Sequence, residues 1–416
     1  MEARFREGDA MRRANPETAA VQSPRRANRP FISFALVPAY GHVYPVIPLA
    51  EAVRQAGARV QIAVGRPFHD TLPLPTVLGS DLDPITTDVP DLTRARFPTV
   101  VDDVPARWVA AFFGVMHALP AVTALRRAWQ HDRPDLVVYD PANPGAAVVA
   151  DELGIPSMLF SVFHYFPPML ELPRVTRRAL DEPDVQPWEP LPDGRHPSRP
   201  YIDPVPSALQ LGPIAEHDDV IPIRTVAWDD PAAAPIVPTR RDRERPLVYV
   251  TLGTVVGTPE LLRDVIVEAA RFGDVIASIG PSVSRARLGD LPGNVSVHRL
   301  VQAHTVMATA DLVVHHGGMG TTLAAAAHAV PQLLLPQVGD QFANAQAVTR
   351  AAIGRALIGA REAGAISAAL AALERDRQVR DSADAVARTI AAAPGPAQVA
   401  RELINRAGHG QPRRRP

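Results

Sequence analysis

The chain has 416 residues, 46% of them apolar and 21% charged, which excludes a disordered polymer and leaves room for two or three domains. Its 43 basic and 44 acidic residues cancel to a formal charge of −1, so no bulk field exists to grip nucleic acid or anionic lipid. Cysteine is absent, which excludes disulfide scaffolds, thiolate metal sites and thiol nucleophiles together.

Residues 1–30 are polar and arginine-rich without the apolar run of a secretory signal. They read as a disordered extension, as does the Pro412-Arg-Arg-Arg-Pro416 end. No stretch is expected to supply the ~20 apolar residues of a membrane span, and the chain reads as cytoplasmic. Order begins at Phe31. Residues Phe31 to Val37 predict a buried strand, a turn follows at Ala39-Tyr40-Gly41-His42, and Pro45 suits a first helical turn. Val46, Leu49, Ala50 and Val53 keep helical spacing up to Gly57, and Val60, Ile62 and Val64 predict the next strand. This βαβ unit marks a parallel sheet. It recurs as the strand Leu136 to Tyr139, a helix from Gly145 to Leu153 and the strand Ser157 to Phe160.

Two proline-rich stretches interrupt the pattern, one with Phe97, Trp108, Phe112, Phe113 and Met116, the other with Phe163, His164, Tyr165, Phe166 and Met169. They read as long irregular loops whose aromatic residues line a pocket or pack beneath the loop. Residues 229–246, with Pro231, Pro235, Pro238 and Pro246 and alternating charges, read as a linker. A second α/β series follows. It comprises the strand Leu247 to Leu252, a helix capped by Thr258-Pro259, the strands Asp274 to Ile279 and Leu312 to His315, and then a glycine loop. A helix from Thr321, the strand Gln332 to Leu335 and helices from Gln341, Gly364 and Gln378 complete it; Pro394-Gly395-Pro396 precedes a last helix, Ala397 to Arg406. The expected fold is α/β, two doubly wound Rossmann-like domains facing across a ligand cleft.

The densest chemical signal is His315-His316-Gly317-Gly318-Met319-Gly320-Thr321-Thr322, at a strand-to-helix turn. Glycines there let backbone approach a ligand, and free N–H groups at a helix start attract phosphate; a glycine turn without a ligand is the alternative. No Walker lysine or GxGxxG accompanies it. Downstream, Asp340, Gln341 and Asn344 place acid and amide groups at a second strand-to-helix junction, where they either bind vicinal sugar hydroxyls or cap the helix.

These motifs, with Val330-Pro331-Gln332 and the first turn Gly41-His42-Val43-Tyr44-Pro45, resemble the nucleotide-sugar signature and amino-terminal motif of family-1 glycosyltransferases of the GT-B fold. The likeness is strongest to bacterial enzymes that glycosylate antibiotics and related natural products. It implies a donor domain at 247–393, an acceptor domain at 31–228 and a terminal segment at 394–416. By position, His42 matches the family's general base and Asp140 the acid that orients it. Thr254, His316, Gly318, Gly320 and Thr321 match the diphosphate contacts, Val301 lies in the base-binding segment, and Asp340 and Gln341 match the sugar-hydroxyl pair. His315 is expected to pack or brace the loop. Phe112, Phe163 and His164 are candidate acceptor contacts.

Two departures stand out: Leu300-Val301 replaces a tryptophan that stacks on the base, and Ala324 replaces a glutamate that binds the ribose. The second favours dTDP, which lacks the 2′-hydroxyl. The implied chemistry is inverting displacement onto a hydroxyl of a small hydrophobic aglycone, with a nucleoside diphosphate sugar as co-substrate and neither cofactor nor metal. Nucleic acid and membrane are not expected partners; a homodimer is an option. A weakly active or inactive homologue that binds nucleotide-sugar or aglycone for another enzyme is the alternative.

Overall fold

The computed structural model describes residues 29–69, 71–80, 88–100, 105–189, 199–228, 244–253, 258–280, 283–359 and 362–409. The extension at 1–28, residues 229–243 of the expected linker, Thr254 and the arginine-rich end lie outside them.

Apolar runs form the strands, the central ones buried on both faces, as a parallel sheet covered by helices requires, and the edge ones half-exposed. In the first lobe these are β1 (Phe31–Ala35), β2 (Arg59–Val64), β3 (Thr76–Leu78), β4 (Leu136–Tyr139), β5 (Ser157–Phe160), β6 (Tyr201–Asp203) and β7 (Val220–Pro222). They order as β3-β2-β1-β4-β5-β6-β7 and every pair is parallel. The second lobe holds β8 (Leu247–Thr251), β9 (Asp274–Ser278), β10 (Val295–His298), β11 (Leu312–His315), β12 (Gln332–Leu334) and β13 (Gly354–Ala356). Their order is β10-β9-β8-β11-β12-β13, again all parallel. In each sheet the order in which the chain adds strands reverses once, between β1 and β4 and between β8 and β11. Ligands of doubly wound sheets bind at the carboxyl ends beside such reversals.

Three features depart from the sequence expectation. The first aromatic stretch is helix rather than loop. Pro105–Ala111, a π-helical turn Phe112–His117 and Ala118–His131 run on continuously. Pro120 lacks the N–H that would reach back to Met116, and the wider π turn ends just before it. Second, residues Ala106–His131 of this helix are apolar and long enough to cross a membrane, with a mean hydropathy of 1.7 over the best window. More than half of that window is buried inside the protein, where Val122, Leu125 and Trp129 pack against the first sheet.

Third, the last helix, Pro396–His409, returns to the first lobe. Val399, Ala400, Leu403 and Ala407 join the core of Ile32, Leu49, Val53 and Ile62, and Arg406 pairs with both oxygens of Asp219 at 2.7 and 3.1 Å. In the opposite sense, Val205 and Leu209, just after β6, pack with Met319, Leu323 and Val348 of the second lobe.

Candidate active site

The two switch points face each other across one cavity of about 340 Å³. On the first lobe, the chain leaves β1 into a short helical turn, Tyr40–Val43, that carries His42. Asp140 is the first residue after β4, the neighbour of β1 in the sheet. Strand order thus brings together two residues 98 positions apart: His42 Nδ1 donates to Asp140 Oδ2 at 2.7 Å. The Asp140 carboxylate is fully buried and also accepts the N–H groups of Ala142 at 2.8 Å and Val37 at 3.3 Å. A carboxylate held this way fixes the tautomer, so the imidazole's basic lone pair is on Nε2. Burial lowers the pKa of His42, but Asp140's charge and hydrogen bond, with the charge of Asp340 across the cleft, outweigh it, and the net shift is upward.

On the second lobe, β11 ends at His315 and helix Met319–Ala327 starts after Gly318 without a side-chain cap. Its first N–H groups therefore carry the helix's partial positive charge uncovered. His316, Gly318, Gly320 and Thr321 all line the cavity. The His316 ring fits between two glycines. A Cβ on Gly253 would lie 2.7 Å from it, and one on Gly318 2.6 Å. Its Nδ1 is buried without a partner, and burial pushes its pKa down to about 4, so it meets a ligand as a neutral ring. His315 is wholly buried and braces the loop, with Nδ1 accepting Gly317 N–H at 3.1 Å and Nε2 donating to Gln332 at 3.0 Å.

Asp340 precedes helix Gln341–Arg350, yet its side chain caps nothing. The carboxylate instead accepts Asn344 Nδ2–H at 3.1 Å, and the same Nδ2 donates to Gly317 O at 2.7 Å. Burial raises the pKa of Asp340 against the lowering effects of Asn344 and His42. Gln341 Oε1 accepts the N–H groups of Gln337 and Val338 at 2.8 and 3.2 Å, which leaves its Nε2 to donate into the cavity that Gln341 lines.

Other expected residues fall elsewhere. Val301 packs beside Leu247 and Tyr249, and its neighbour Ala303 lines the cavity. Phe112 stacks on Trp108; the π turn instead brings Phe113 beside His42, with ring centroids 6.4 Å apart. Phe163 lines the cavity, 5.3 Å from the His42 ring. His164 is buried away from that wall. Gly253, Tyr44 and Trp228 line the cavity as well. Of these only Gly253 had a readable signal, a glycine directly after a strand. Among the described residues, no group of three or more His, Asp or Glu side chains is arranged to hold a metal ion.

Comparison with known proteins agrees with this architecture. Residues 263–406 match the model of the erythromycin biosynthesis protein CIII-like C-terminal domain. The L-demethylnoviosyl transferase of Streptomyces niveus is 32% identical over 337 residues, covering 77% of this chain and 83% of the relative. The elloramycin glycosyltransferase ElmGT of Streptomyces olivaceus is 30% identical over 385 residues, covering 88% and 94%. The crystal structure of Streptomyces sp. SF2575 glycosyltransferase SsfS6 complexed with thymidine diphosphate superposes with a TM-score of 0.71 at 23% identity, over 91% of this chain and 100% of that one. Fold and relatives together define the class, a glycosyltransferase of GT-B architecture. Within it the chain belongs to the family of antibiotic glycosyltransferases, enzymes that draw their sugar from a nucleotide donor.

Proposed function

We propose that the protein moves a (deoxy)sugar from dTDP to a hydroxyl of a small hydrophobic natural-product aglycone, inverting the anomeric centre. One observation carries this reading. His42 on the first lobe, and His316, the Gly318–Thr321 helix start and Asp340 on the second, wall the same cavity.

Asp140 holds the Nδ1 proton of His42, so Nε2 can receive the acceptor's hydroxyl proton. As that proton leaves, the hydroxyl oxygen bonds to the anomeric carbon. The bond from that carbon to the diphosphate oxygen breaks on the opposite face, and its electron pair departs with dTDP. The resulting imidazolium is balanced by Asp140 and, more weakly, Asp340. Negative charge growing on the diphosphate meets the uncapped helix start at Gly320 and Thr321 and the His316 ring, donors already in place before reaction. Thr254, which follows β8 in sequence and lies outside the described residues, is proposed to add a hydroxyl. Asp340 accepts from sugar hydroxyls and Gln341 Nε2 donates to them. Ala324 lines the cavity as a bare methyl, which suits a ribose lacking the 2′-hydroxyl. Phe113 and Phe163, beside His42, offer apolar surface to an aglycone.

Thermal unfolding with added nucleotide tests the donor, and turnover by His42→Ala tests the base. The expected results are a larger rise in Tm with dTDP than with UDP or ADP, and a His42→Ala protein that keeps this response but loses about 10²–10⁴ in turnover. Stabilisation by ADP alone, or wild-type turnover by His42→Ala, overturns the corresponding half.

A further inference from the structure

His164 lies where the lobes meet. The adjoining residue, Tyr165, donates its N–H to Gln210 Oε1 at 2.8 Å, and the Gln210 carbonyl accepts Arg350 Nη2 of the second lobe at 2.6 Å. Both ring nitrogens of His164 are buried and neither makes a hydrogen bond of good geometry, although the Asn344 and Gln210 amides lie within reach. Burial, with Arg350 nearby, holds its pKa down to about 4 against the opposing effect of the Asn344 and Gln210 amides. The ring is therefore neutral near pH 7 and carries one N–H. An N–H buried without an acceptor is costly.

The matching orphan is on the second lobe. Asn344 is wholly buried, its Nδ2 holds Gly317 O and Asp340, and its Oδ1 has no donor. The two Nδ2 bonds require that orientation, since a flipped amide would turn its oxygen toward the Asp340 carboxylate. A donor on the Oδ1 side would enforce it. The influence of Asn344 on His164 favours the charged ring, as an oxygen acceptor beside it does.

We propose that His164 is a positioning residue: its ring N–H donates to Asn344 Oδ1 across the lobe boundary and locks the amide that holds Asp340 and the Gly317 carbonyl. The first lobe thereby sets the carboxylate that binds the sugar on the second, so the donor's sugar is gripped only when both lobes are docked. The inference rests on the reading of Asp340 as a ligand of the donor sugar.

The test is calorimetric titration of the full chain with dTDP and with dTDP-α-D-glucose as probe, for wild type, His164→Phe, His164→Gln, Asn344→Ala and the Phe/Ala double variant. Thermal unfolding first verifies that each is folded. His164→Phe keeps a ring but no donor, and is expected to weaken dTDP-glucose roughly tenfold, as expected when a buried acceptor is left unpaired, while dTDP shifts by less than about twofold. His164→Gln restores an N–H and most of the affinity. Asn344→Ala weakens dTDP-glucose by itself, and adding His164→Phe to it costs nothing more, because coupled residues are non-additive. Equal loss of both nucleotides, no loss, no rescue by Gln, or additive effects in the double variant overturn the proposal. Should His164→Phe not fold, His164→Leu takes its place with the same expectations. A wild-type protein that binds neither nucleotide overturns the donor reading and this inference with it.

Discussion

The His42–Asp140 pair has an internal tension that pH exposes. Burial alone would make His42 a weak base, and the carboxylate reverses that, raising the ring above its ordinary 6.5. The proposed role needs the neutral ring in the free enzyme, so kcat/KM is expected to fall tenfold per unit of pH below a midpoint that lies above 6.5. Asp140→Asn removes the raising partner and leaves burial, which moves that midpoint down. Its amide N–H can also donate to Nδ1 and select the wrong tautomer, so turnover drops by about 10²–10⁴ at every pH. A pH–rate profile of both proteins checks this, and an unmoved midpoint in Asp140→Asn excludes His42 as the titrating base. At this scale His42 and Asp140 were singled out through the family resemblance; by pattern alone they read as a turn histidine and a strand-end cap. His164 was read as an acceptor contact, because its neighbours Asn344, Gln210 and Arg350 lie far along the chain. The choice between Phe112 and Phe113 could not be read either, since it depends on a π turn that shifts the helical phase.

Strand-to-helix junctions supply nearly every side chain of the site, and their glycines do more than turn the chain. Gly253 takes φ +83°, and both it and Gly318 leave the space that the His316 ring fills. Gly253→Ala adds the strain of a left-handed residue, about 1–3 kcal/mol, and a methyl that must displace the ring. It is expected to weaken dTDP at least about tenfold in titration, while a fully native affinity would show that His316 does not hold the diphosphate. The regular elements around these junctions were readable from apolar runs and caps. Thr258, for instance, accepts Leu261 N–H as the N-cap of helix Pro259–Phe272. The helix Pro105–His131 escaped because its prolines and clustered aromatics resemble a loop until the π turn resolves them. The edge strands β3, β7, β10 and β13 are only three or four residues long, too short for a period of two to register.

Two lobes joined only through a linker could drift apart, yet here the chain crosses between them repeatedly. Residues after β6 pack on the second lobe, and the last helix, which follows the second lobe in sequence, completes the core of the first. The sequence showed this helix as a separate terminal segment, because an amphipathic stripe says that a face is buried but not against what. Leu403 decides which lobe the helix stabilises. It is wholly buried beside Leu49 and Val53, so Leu403→Ala should cost about 2–5 kcal/mol. Hydrogen exchange locates that loss. Amides of β1, β2 and β4 should exchange faster, those of β8, β9 and β11 should keep their protection, and dTDP affinity measured well below Tm should stay unchanged. Faster exchange confined to β8 and β11 would mean that the helix supports the lobe it follows in sequence. The geometry requires the other outcome: the 0%-exposed face of Leu403 meets the sheet that presents His42, so this last helix steadies the proposed base while the second lobe stands on its own core of Val250, Leu262 and Leu370.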